Sequence, residues 1–163
     1  MRFEIVQDLG ATPDALDAAL VDPAFLVRMV ELPKLGSAEV LTQTRDGDVV
    51  RQDVRYLFQA ELSSAVTRVV DPDKLTWVEE SECDLAAHRT TCTIKPDNYA
   101  NLLQGRYEAT IVAAGSGSAR TITGQLKVKI PLLGGKVEKA IVGGLSENAD
   151  AQATLLTSYI SSK

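Results

Sequence analysis

Hydrophobic and polar residues alternate with a period of two through the middle of the chain and switch to a three-and-four spacing at its end. From Gly134 to Ser162 apolar positions fall at Val137, Ile141 and Leu145, and then, beyond Gln152, at Leu155, Leu156, Tyr159 and Ile160, the repeat that keeps side chains on one helical face. A helix of that span is about 43 Å long, enough to cross a curved sheet. Gly143 and Gly144 lie in its interior, where each glycine costs about 1 kcal/mol relative to alanine. The bare surface they leave suits a bend or a bound molecule.

At the other end, Phe3, Ile5 and Leu9 alternate with Glu4, Val6 and Asp8 as a first strand that Gly10 stops. Thr12-Pro13-Asp14 supplies an N-cap, a proline at the first helical position and an early acidic residue, ahead of Leu16, Ala19 and Leu20. Asp22-Pro23 begins a second short helix, with Phe25, Leu26, Met29 and Val30 inside, ended by Pro33 and Gly36. Period two then holds from Ser37 to Ile130. Segments 38–44 and 48–58 flank Arg45-Asp46-Gly47, a hairpin signal, with Val50, Val54, Tyr56 and Phe58 on one face and Arg51, Asp53 and Arg55 on the other. Residues 60–70 fit either a strand or a connector, closed by the turn Asp71-Pro72-Asp73. Leu75, Trp77, Glu79, Ser81 and Cys83 share the inward face of the next strand, and Cys92 and Ile94 that of its partner. Gly105, Tyr107, Ala109 and Ile111 face inward before the turn at 115–118. Ile122, Gly124, Leu126, Val128 and Ile130 do so in the last strand, which Pro131 ends.

If the hairpin over 75–95 turns at Ala87-His88, Cys83 stands opposite Cys92. Opposed Cα atoms in an antiparallel pair are about 4.5 to 5.5 Å apart, within the reach of a disulfide. The expectation is a pair of free thiols in a reducing compartment that mild oxidant can join.

Composition alters this picture mainly by exclusion. With 163 residues, 45% of them hydrophobic and 24% charged, the chain makes one domain over 1–163. A net charge of -5 and a pI near 4.9 exclude the concentrated basic surface that nucleic acid requires. Lys127, Lys129, Lys136 and Lys139 read as a solvated face. No apolar run approaches the roughly 18 residues of a membrane span, and Met1 leads directly into strand-like alternation, so a soluble, cytoplasmic protein is expected. Cys83 and Cys92 lack the spacing and histidine neighbours of a metal site, and no cofactor motif is present. His88, the single histidine, sits at a turn and offers little for a catalytic triad.

The order strand, two short helices, antiparallel strands and long terminal helix resembles the helix-grip fold of the START-like superfamily, which includes birch-pollen-allergen and polyketide-cyclase-like proteins. Val69-Val70-Asp71-Pro72, Trp77 and the stretch from Gly124 to Glu138 resemble, more specifically, an uncharacterised bacterial START-like family known as a domain of unknown function. The resemblance implies an α+β domain in which a curved antiparallel sheet of about seven strands wraps a long C-terminal helix. Between them it implies a cavity for a hydrophobic or amphipathic small molecule such as a lipid, isoprenoid or polyketide. Small residues at Gly105, Ala109, Gly124, Gly143 and Gly144 would enlarge that space, the alternative being a core filled by side chains.

The candidate lining is Tyr56, Trp77, Glu79, Tyr107, Gly124, Ile141, Gly144 and Tyr159. The aromatics offer amphipathic walls. Glu79 is costly to bury unless paired or protonated. Two other functions stay open: a cyclase or hydratase using Glu79 and a tyrosine, or a co-chaperone-like interaction module built on an exposed apolar patch.

Overall fold

A computed structural model describes residues 1–163. Its strands are β1 (Arg2–Leu9), β2 (Leu35–Asp46), β3 (Val49–Phe58), β4 (Thr76–Asp84), β5 (Arg89–Pro96), β6 (Leu103–Ala114) and β7 (Gly117–Val128). They form one antiparallel sheet in the order β1-β7-β6-β5-β4-β3-β2. From β2 to β7 each strand pairs with the next in sequence, and β1 alone crosses over to flank β7. Helices α1 (Pro13–Leu20) and α2 (Pro23–Leu26) follow β1, α3 (Ser64–Thr67) follows β3, and α4 (Gly134–Ser161) ends the fold. This is the expected α+β order, with seven strands and one long terminal helix.

Local chemistry sets the boundaries. Thr12 accepts a hydrogen bond from the Ala15 N–H at 3.2 Å and Asp22 one from Ala24 at 2.9 Å, each cap being followed by proline. Beyond α2 the chain tightens into a 3₁₀ turn over Val27–Glu31. Gly47 adopts φ +60° in the two-residue loop between Asp46 and Val49, a conformation that favours glycine.

The 28 residues of α4 run on through Gly143-Gly144, and both helix ends are fastened. Near its start Glu138 accepts from the Val128 N–H at 2.9 Å and pairs with the terminal amine of Met1 at 3.5 Å. Near its finish the Tyr159 hydroxyl donates to Asp22 at 2.5 Å and the Lys163 ammonium donates to the same carboxylate at 2.7 Å. Those hydrogen bonds, Lys163 first and Tyr159 second, hold the Asp22 carboxyl down to about 2. No helix is long and apolar enough to cross a membrane.

The core divides in two. One cluster joins α1, α2 and the first strands to the last turns of α4, through Leu16, Phe25, Val54, Leu156 and Tyr159. The second is smaller and gathers Val66, Val70, Val128 and Ile130 near the first turns of α4. The middle of the helix lies between them.

Two expectations are corrected and one open alternative is decided. The β4–β5 hairpin turns through four residues, Leu85 to His88, so Cys83 stands opposite Thr90 and Cys92 opposite Ser81. A two-residue tip at Ala87-His88 would need φ > 0 at both positions, which alanine resists. Instead the Asp84 carboxylate accepts from the Ala86 and Ala87 N–H groups at 3.1 and 3.0 Å, and His88 alone takes φ +53°. The shift of two residues leaves both cysteines facing inward, buried and free, but as diagonal neighbours roughly 7–8 Å apart at Cα, at or beyond the limit of a disulfide. Residues 60–70, open between strand and connector, contain α3, capped by Ser63 and burying Val66. The last strand begins at Gly117 rather than Ile122, which adds Ser118 and Arg120 to the buried face.

Candidate ligand site

Between the two core clusters lies a cavity of about 190 Å³, and 25 of the 32 residues that line it are hydrophobic. That volume exceeds the ~150 Å³ of an apolar cavity that admits benzene and falls short of the ~300 Å³ at which drug-sized pockets begin. Its walls come from all seven strands, β1 contributing Phe3 and Ile5 and β2 contributing Leu35, from the middle of α4 at Ile141 and Leu145, and from Leu62 and Val66 around α3. The inward parity of each strand determines which side chains reach it.

One side of the wall is polar. Glu79 on β4 accepts from the Trp77 indole N–H at 3.3 Å and from the Tyr107 hydroxyl at 2.9 Å, so both carboxyl oxygens are engaged. What accessible surface Glu79 retains is cavity wall, and burial raises its carboxyl above the ordinary range despite those two bonds. Burial likewise pushes the Tyr56 and Tyr107 hydroxyls well above theirs, and the Cys92 thiol far up, which leaves it inert. The Tyr56 and Trp77 rings stack with centroids 5.6 Å apart and planes tilted by 40°.

Five of the eight candidate residues, Tyr56, Trp77, Glu79, Tyr107 and Ile141, lie in this wall. The other three sit elsewhere. Gly124 faces Phe3 across the β1–β7 ladder, and a side chain there would meet the Phe3 ring at 2.5 Å, so the ring occupies the space the glycine leaves. Gly144 is buried against Phe58 and Lys34, which stand 3.1 and 3.4 Å from where its Cβ would be. Tyr159 packs edge-on to Phe25 at 5.3 Å, in the core cluster rather than the wall.

Sequence reasoning missed Arg120. It is 7% exposed and lines the cavity, with its Nη1 donating to Gln7 Oε1 and Gln152 Oε1, each at 3.0 Å. Gln7 in turn donates to the Ala149 carbonyl at 2.7 Å, joining β1, β7 and α4 through neutral amides. The available signal was parity: carrying the alternation of β7 back from Ile122 turns Arg120 inward. No group of three or more His, Cys, Asp or Glu side chains comes together as a metal site would require.

A family described as a protein of unknown function (DUF2505) matches residues 4–160. The chain belongs to this family. No curated protein matches this DUF2505 chain in sequence. Solved structures show its fold. TTHA0849 from Thermus thermophilus is 19% identical with a TM-score of 0.72, over 99% of this chain and 98% of that one. The Zhui aromatase/cyclase from Streptomyces sp. R1128 is 12% identical with a TM-score of 0.68, over 99% and 93%. Ara h 8.0201 is 15% identical with a TM-score of 0.61, over 100% and 99%. The DUF2505 chain therefore has the START-like helix-grip fold, shared by the Zhui aromatase/cyclase and Ara h 8.0201.

Proposed function

We propose that this DUF2505 protein binds and carries a hydrophobic or amphipathic small molecule of the lipid, isoprenoid or polyketide kind in the space between sheet and α4. The observation that carries the reading is the cavity of about 190 Å³, whose wall is mostly apolar, with Glu79 and Arg120 its charged side chains and Thr76, Asn98, Asn148 and Gln152 its further polar ones. An apolar hollow with few polar groups gains from a guest that removes its surface from water, while those groups fix the guest's orientation. Native mass spectrometry of freshly purified protein tests the reading. A co-purifying small molecule is expected; ligand-free protein that also fails to take up an apolar dye argues for a core complete without a guest.

One observation favours a second reading, an acid–base enzyme of the cyclase or hydratase type. The Tyr107 hydroxyl and the Glu79 carboxyl meet at 2.9 Å in the cavity wall, where a raised carboxyl can hold a proton for transfer. Under that reading Glu79→Gln traps unreacted substrate, and the molecule recovered with the variant differs in mass from that recovered with the wild type. Identical masses favour carriage alone.

A further inference from the structure

Arg120 is a charged side chain sealed in the protein interior, and buried charges are ordinarily paired. Arg28, Arg51, Arg55 and Arg89 each form an ion pair with a carboxylate at the surface, but Arg120 forms none. Its protein partners, Gln7 and Gln152, are neutral and both take the same nitrogen, Nη1. Nε and Nη2 donate to nothing. Yet no fully enclosed side-chain nitrogen or oxygen in the protein lacks a partner, so these two open onto space large enough for a solvent-sized atom. Arg120 is among the residues that line the cavity.

We propose that the bound molecule is an apolar carboxylic acid, with its carboxylate seated on the open Nε and Nη2 edge of Arg120 and its hydrocarbon body along the apolar wall. The inference rests on the carriage reading and specifies its ligand class. Three observations converge on it. Nε and Nη2 lie side by side in the guanidinium plane, the fork that takes both oxygens of a carboxylate at once. The charge to be matched is a single one, which suits a carboxylate better than a phosphate monoester of nearly twice that charge. The nearest acidic side chains are committed elsewhere: Glu79 to Trp77 and Tyr107, and Asp17 to His88. They bias the potential around Arg120 without reaching it. Gln7 and Gln152 position the guanidinium through Nη1, leaving the Nε and Nη2 edge free for a guest.

The test compares decanoic acid with 1-decanol at neutral pH by isothermal titration calorimetry, so that hydrocarbon length is held fixed while the head group changes. The acid is expected to bind about tenfold to a hundredfold tighter, the range of charge-assisted hydrogen bonds. In Arg120→Gln the preference for acid over alcohol collapses. Should that variant fail to fold, Arg120→Lys keeps the charge without the planar fork, and the preference drops severalfold. Equal affinity for acid and alcohol in the wild type, or an undiminished preference in a folded Arg120 variant, overturns the carboxylate assignment and leaves carriage standing. Binding of neither compound overturns both.

Discussion

Glu79 and Arg120 bring opposite charges into one cavity wall, and burial acts on both by disfavouring the ionised form. For Glu79 the consequence can be measured. A carboxyl whose folded-state pKa lies above its unfolded value, near 4.3, contributes stability that is fully present below that value and lost as pH rises through the folded one. Glu79→Gln retains an amide oxygen for Trp77 or Tyr107 and removes the ionisation. Denaturant midpoints between pH 4 and pH 8 are expected to show the wild type losing stability relative to Glu79→Gln as pH increases, with the difference levelling off once Glu79 is ionised. Parallel profiles for the two proteins would show that the carboxyl titrates normally. Glu79 was legible in the sequence because Trp77, Glu79 and Ser81 alternate inside an unmistakable strand. Arg120 was not, because only two residues separate it from the Gly115-Ser116-Gly117 turn and the pattern becomes regular only at Ile122.

Among the elements, strand parity and caps were legible and turn lengths were not. Thr12, Asp22 and Gly47 act where the sequence places them, since each satisfies a local backbone requirement. The β4–β5 turn depends on a choice between two local solutions, and the Asp84 carboxylate decides it by accepting two N–H groups that a tighter turn would orient differently. The consecutive glycines of α4 show the same limit, for spacing marks both as helix-interior while only packing separates them. Nothing lies within 4 Å of a Cβ built on exposed Gly143, whereas Phe58 and Lys34 crowd the corresponding position on Gly144. Gly143→Ala is therefore expected to stabilise the protein by about 1 kcal/mol, the helix propensity difference. Gly144→Ala gains the same propensity and loses part of it to the Phe58 ring. Chemical denaturation of the two variants side by side checks the order, and Gly144→Ala being the more stable would place Phe58 farther from the helix than it stands here.

On the scale of the whole molecule, the sequence implied a sheet gripping a helix, and the hollow depends on how two apolar clusters space the helix from the sheet. The cluster around Leu156 and Tyr159 holds one end of α4 and the cluster around Val128 and Ile130 the other, while Ile141 and Leu145 face the gap between. No residue pattern records that distance, because it is set by side chains remote in sequence. It can be probed from the helix. In a core packed to ordinary density, enlarging Ile141 to tryptophan forces off-rotamer side chains and costs about 1–3 kcal/mol or more. Above a cavity of about 190 Å³ the extra atoms have somewhere to go, and buried aromatic surface offsets most of that cost. Ile141→Trp is thus expected to keep the wild-type unfolding midpoint within a few degrees while abolishing uptake of an apolar fluorescent probe. The pairing of the two measurements is decisive: a large loss of stability means the space was already filled, and full probe affinity in a stable variant means the guest binds elsewhere. Only retained stability together with lost binding fits a ligand chamber roofed by the middle of α4.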